Sequence, residues 1–219
     1  MTEAEWRVGK EPGRMLSQSG VTFSPRKLRL FAVECCKAIT NLLDDRGRRA
    51  LVIAEQFADG FASPTLLLQG EQLATEAYNE FHGVQEFAAE AVIDACVSED
   101  VSANVLRVAW LTANLLDVGI ERPLKKATKR LGRIRQSEHL RDIFGNPFRP
   151  IALEPAWLTP TAVGIAQGIY NDRAFDRLPI LADALQDAGC EDANILAHCR
   201  VDGPHVRGCW VVDLVLGKE

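Results

Sequence analysis

Residues 24–43 read SPRKLRLFAVECCKAITNLL, and the spacing within this stretch decides the fold class. Ser24 before Pro25 is an N-cap followed by proline at the first helical position, where its missing N–H would have no intrahelical partner anyway. Behind it Leu28, Phe31, Ala32, Cys35, Ile39 and Leu42 recur at three- and four-residue steps, so one helical face is apolar. The adjacent Cys35 and Cys36 point about 100° apart on such a helix, which suits burial against two neighbours better than a redox pair.

Working outward, the same signals repeat. Asp44 and Asp45 open a second helix with Leu51, Ala54, Phe57 and Ala58 inward, stopped by Gly60. Ser63-Pro64 starts a third that runs to about Phe81 and breaks at Gly83. Helices follow near 85–97 and 101–117, with Ser98 and Asp100 as caps between them and Gly119 after the second. Thr2 and Glu5 fit a capping box that opens a short N-terminal helix anchored by Trp6. A long amphipathic stretch covers Arg122 to Phe144, with Leu124, Leu131, Ile134 and Leu140 as its apolar side.

The texture then changes. Pro147, Pro150, Pro155 and Pro160 predict an extended connection over 145–159, because proline disfavours helix in itself and before it. Its Phe148, Ile151, Leu153 and Trp157 imply a connector packed against helices. Thr159-Pro160, Pro179 and Glu191 or Asp192 open three further helices. Gly203-Pro204 precedes Val206 to Leu216, read as a helix with Val206, Trp210, Val211, Leu214 and Val215 inward; a strand is the rival, given the valines. The expected class is all-α: an N-terminal helical array (1–144), a Pro-rich packed connector (145–159) and a small C-terminal helical unit (160–219).

Composition excludes several classes. Of 219 residues, 47% are apolar and 25% charged, which is ordinary for a globular chain and argues against disorder. No apolar run approaches the length of a membrane span, and the acidic start MTEAEW is no secretory signal. A cytoplasmic protein without membrane contact is expected, with its six cysteines reduced.

MTEAEW (1–6), RKLRLFA (26–32) and Cys35-Cys36, with RDIFGNPFRP (141–150), DRAFDRLPILADALQDAGC (172–190), ILAHCR (195–200) and HVRGCWVVDLVLGKE (205–219), resemble a bacterial protein family to which no function is assigned. Together these segments cover about half of the chain. The middle, 64–135, differs from the alanine-rich stretches of that family. The resemblance implies kinship and carries no activity, substrate or catalytic residue.

Two constellations could carry chemistry. Cys190, His198, Cys199, His205 and Cys209 are soft and borderline ligands of the kind zinc takes. They form no C-x-x-C pair and keep no regular spacing, so packing roles are expected, with no metal and no other cofactor. The segment 121–142 holds eight Lys and Arg against three Asp and Glu in a chain of net charge −5. Its Lys125, Lys129 and Arg133 form a four-residue stripe flanked by Lys126 and Arg130, which could track phosphates. The stripe lacks stacking aromatics or a recognition motif, so pairing with acidic neighbours is the simpler expectation.

No P-loop, dinucleotide fingerprint, nucleophile elbow or H-E-x-x-H occurs, and no catalytic residue is assigned. Cys209, His205 and Asp213, taken as nucleophile, base and orienter on one helix, would leave little room for a substrate. The sequence thus points first to an interaction or scaffold module with a protein partner. Nucleic-acid binding through helix 122–141 is the alternative, and a zinc-stabilised C-terminal module is third.

Overall fold

The computed structural model describes residues 1–97, 101–119 and 122–218, for 122–123 the backbone alone. The expected caps at Ser98 and Asp100 lie outside the described residues. Within them the chain is all-α, with no strand. Twelve α-helices follow in order: α1 Glu3–Val8, α2 Pro12–Gln18, α3 Pro25–Lys37, α4 Asp45–Ala58, α5 Pro64–Glu80, α6 Val84–Cys96, α7 Val101–Leu115, α8 Arg122–Phe144, α9 Pro160–Asp172, α10 Leu178–Asp187, α11 Ala193–Arg200 and α12 Trp210–Leu216. None is long and apolar enough to cross a membrane.

The helix starts follow from their caps. Ser63 Oγ accepts from Leu66 N at 3.2 Å, Thr159 Oγ1 from Ala162 N at 3.2 Å and Asp44 Oδ1 from Gly47 N at 3.0 Å. Each such cap stabilises its helix by about 0.5–2 kcal/mol. The capping box of Thr2 and Glu5 forms on α1 and positions Trp6, which is buried and stacks on Phe23.

Contacts divide the chain into two compact units, Met1–Leu140 and Arg141–Glu219. In the first, α3 packs on α4 and α7, and α4 to α7 pack each on the next. Alanines at 50, 54, 74, 77, 88 and 91 are all buried and allow close approach of these helices. Arg29 is buried as well; its guanidinium donates to the Ala95 and Val97 carbonyls at 2.8 Å and so satisfies the C-terminal end of α6.

In the second unit α9 packs on α10 and α12, and α10 on α11. Ile169, Leu178, Leu181, Leu185, Ile195, Val211 and Val212 form its core. Each such side chain, when fully buried, contributes roughly 1.5–3 kcal/mol. Residues 145–159 are only partly extended: a turn closes where Arg149 N donates to the Asn146 carbonyl at 3.1 Å, a second follows at Pro155–Trp157, and Ile151, Leu153 and Trp157 pack against this core.

Two expectations need correction. The last helix begins at Trp210, not near Val206, because Gly208 at φ +92° turns the chain just before it. Its inward residues are therefore Val211, Val212 and Val215, with Trp210 and Leu214 half-buried. On α8, Leu124 and Leu131 are 58% and 65% exposed, while Gln136, Leu140 and Ile143 face inward. Of the apolar side expected on α8, Leu140 is thus buried and Ile134 half-buried, and only Leu124 and Leu131 stand outside.

Candidate metal centre

Four side chains of the second unit converge. Asp142 stands on the last turn of α8, which Gly145 terminates in the left-handed conformation at φ +61°. His198 lies on α11, whose start is fixed by Asp192 Oδ1 accepting from Asn194 N at 2.8 Å and Ile195 N at 3.1 Å. Ile195 and Cys199 turn the inner face of α11 into the core, which leaves His198 on its flank. His205 belongs to the strap between α11 and α12, and Cys209 is the N-cap residue of α12.

One ligand atom from each residue meets the others within 4.8 Å. Asp142 Oδ1 is 2.7 Å from His205 Nδ1 and 3.2 Å from His198 Nε2, and the same Nε2 is 3.2 Å from Cys209 Sγ. The outer atoms are engaged too. Asp142 Oδ2 accepts from Val206 N at 2.8 Å, and His205 Nε2 lies 3.2 Å from the Val201 carbonyl. Behind the cluster the His198 ring meets that of His205 edge-on at 4.9 Å and that of Trp210 at 5.1 Å.

The electrostatics follow from burial and from these neighbours. Burial alone would raise the Asp142 carboxyl, but hydrogen bonds from His198 and His205 outweigh it and hold it below its ordinary value. Burial would lower His205, and the facing carboxylate instead lifts it above its ordinary value. Burial pushes the Cys209 thiol well up, with the Asp142 charge adding to it, while the N–H groups of Val211 and Val212 pull the other way.

This arrangement is unsuited to nucleophilic catalysis. In a catalytic triad the base uses one ring nitrogen toward the nucleophile and the other toward its orienting carboxylate. Here a single nitrogen of His198 faces both Cys209 and Asp142, and the sulfur is buried. Asp213, the orienter considered from sequence, is buried outside the cluster. Convergence of one atom per residue on a common point is instead what a bound cation requires.

Of the residues singled out in sequence, His198, His205 and Cys209 are brought together, while Cys190 and Cys199 lie in the apolar core of the second unit. Asp142, the fourth member, reads in the sequence only as one of the carboxylates that offset the basic stretch. The basic residues are elsewhere, on the first-unit part of α8. There Lys129 pairs with Asp117 at 3.3 Å and Arg133 with Glu11 at 3.4 Å. Lys126 and Arg130 are exposed, and Lys125 lines a shallow cavity with Phe87 and Trp110, which are 47% and 63% exposed.

No family model, curated protein or solved structure matches the chain. The fold and this cluster define it, for the purpose of function, as an all-α protein with an Asp-His-His-Cys constellation.

Proposed function

We propose that the second unit is a metal-binding module in which Asp142, His198, His205 and Cys209 hold one zinc ion. The observation that carries this reading is the convergence of four ligand atoms from α8, α11, the strap and the start of α12 within 4.8 Å. Tetrahedral ligands at zinc bond lengths of about 2.0–2.3 Å stand roughly 3.3–3.7 Å apart, so small shifts suffice. One sulfur, two imidazole nitrogens and one carboxylate oxygen suit zinc, whereas calcium and magnesium take oxygen alone. The contact of His205 Nε2 with the Val201 carbonyl is the outer-shell support that metal-bound histidines commonly have. Four protein ligands fill a tetrahedron, so the role is structural: the ion ties the strap and two helices to the end of α8.

Metal analysis of protein purified without chelator, followed by cobalt substitution, tests this. The expected result is one zinc per chain and a thiolate-to-cobalt charge-transfer band that Cys209→Ser removes. Dialysis against zinc that leaves no bound metal overturns it.

A protein-interaction role has one observation behind it, the exposed Trp110 beside Phe87 on the first unit. Affinity purification after nuclease treatment, comparing the native chain with Trp110→Asp, tests that reading: a protein retained by the first and lost with the second supports it.

A further inference from the structure

The first unit contains a half-open cavity of about 470 Å³ between α3 and α8, within the size range of small-molecule sites. Its apolar wall is made by Ala38, Leu116 and Leu131. Gly132 lines it too: a Cβ there would stand 2.5 Å from Leu116 Cδ1, so a larger residue would make that methyl group swing aside.

The polar groups at the rim are unevenly matched. Lys37 is occupied by Glu34 at 3.1 Å and Glu55 at 2.8 Å. Arg133 and Lys129, on the same helix, have Glu11 and Asp117. Arg135 also lines the cavity, is exposed, and has no ion pair or hydrogen bond among the described residues. A guanidinium beside an apolar hollow, with its neighbouring charges already cancelled, is a receptor for a carboxylate or similar anion.

A second polar group in the wall is incomplete. Gln136, 6% exposed, donates through Nε2 to the Ala109 carbonyl at 3.1 Å and to Thr112 Oγ1 at 2.9 Å. These acceptors fix the orientation of the amide, because reversing it would set oxygen against the Ala109 carbonyl. Its buried Oε1 is left without a hydrogen-bond partner among the described residues. Protein atoms cover this oxygen, so it stiffens the wall and offers no contact to a ligand in the cavity.

We propose that this cavity binds a small amphiphilic carboxylate, its anionic end on Arg135 and its apolar body against Leu131, Leu116 and Ala38. The site is independent of the metal centre, whose ligands all lie in the other unit.

The test is calorimetric titration of the full chain with three probes of one shape: indole-3-acetate, the uncharged indole-3-acetamide and the cationic tryptamine. The acid is expected to bind roughly tenfold or more tightly than the amide, with tryptamine weakest, as a charge-assisted pair with Arg135 requires. Arg135→Ala should abolish the preference without moving the melting temperature, since its guanidinium has no partner to lose. Ala38→Trp, a rim position that is exposed, should block all three. Equal binding of acid and amide, a preference that survives Arg135→Ala, binding unaffected by Ala38→Trp, or no saturable binding of any probe would each overturn the proposal.

Discussion

Trp210 occupies the space that a side chain on Gly145 would take. A Cβ built at Gly145 would stand 3.0 Å from Trp210 Cγ and 3.1 Å from Cδ2. Gly145 ends α8 at φ +61°, with its N–H donating to the Arg141 carbonyl at 3.0 Å. The indole in turn lies 5.1 Å from the His198 ring. The stop of one helix thus seats the aromatic that backs the candidate metal ligand.

Gly145→Ala should therefore destabilise the second unit twice over. The left-handed backbone costs an L-residue roughly 1–2 kcal/mol, and displacing a packed indole adds a further ~1 kcal/mol or more. Urea denaturation should show a loss of about 2–3 kcal/mol. In a Trp210→Ala background only the backbone part should remain. A cost that is the same in both backgrounds would mean that the indole does not press on this position.

Two tryptophans should respond unequally to truncation. Trp6 is 1% exposed, so Trp6→Ala should cost about 3–5 kcal/mol, as for other fully buried aromatics. Trp210 is half-buried, and Trp210→Ala should cost less, about 1–3 kcal/mol. Thermal melts of the two variants check the order, and a larger loss at Trp210 contradicts the burial described for α12.

The thiols of the first unit should be silent until the protein unfolds. Cys35, Cys36 and Cys96 are buried, and burial pushes all three thiols up, Cys96 to about 12. The folded state therefore keeps protons that the unfolded chain releases near about pH 8.5. By linkage these groups contribute stability that is fully present below that pH and is lost as pH rises toward about 12. Ellman titration of native protein at pH 8 should find these three unreactive, and denatured protein should show all six. Rapid native reaction at Cys96 would contradict the packing.

Much of the fold is readable from capping chemistry. Ser24-Pro25, Ser63-Pro64 and Thr159-Pro160 each combine a side-chain acceptor with a residue pre-set for helix, and each opens one. The start of α12 is harder to place, because Gly203-Pro204 offers a proline pre-set for helix but no side-chain acceptor, and the turn is set instead by Gly208 at φ +92°. Leu124 and Leu131 show that periodicity gives a face without saying whether anything covers it. The metal cluster was legible only in part. Regular ligand spacing is a signature of sites built on adjacent turns, and here Asp142 comes from α8 while the other three come from residues 198–209. A lone carboxylate in a basic helix carries no mark of that role until the chain folds back.

The basic stripe of α8 gives the last prediction. If Lys125, Lys129 and Arg133 tracked phosphates, DNA or RNA binding would fall steeply with salt, and removing three contacts would flatten the log–log slope by about 2–3 units. Two of the three have acidic partners within the first unit: Asp117 for Lys129 at 3.3 Å and Glu11 for Arg133 at 3.4 Å. A polyanion would have to displace both carboxylates and approach a chain of net charge −5. The triple alanine variant is accordingly expected to lose only about 0–1 kcal/mol per exposed pair, and neither protein should bind labelled duplex DNA or single-stranded RNA near physiological salt. Lys126 and Arg130 have no such partners among the described residues, so the double variant Lys126→Ala with Arg130→Ala is the sharper control. Fluorescence anisotropy that shows micromolar, salt-dependent binding, abolished by either variant with its melting temperature unchanged, would make this helix a nucleic-acid interface after all.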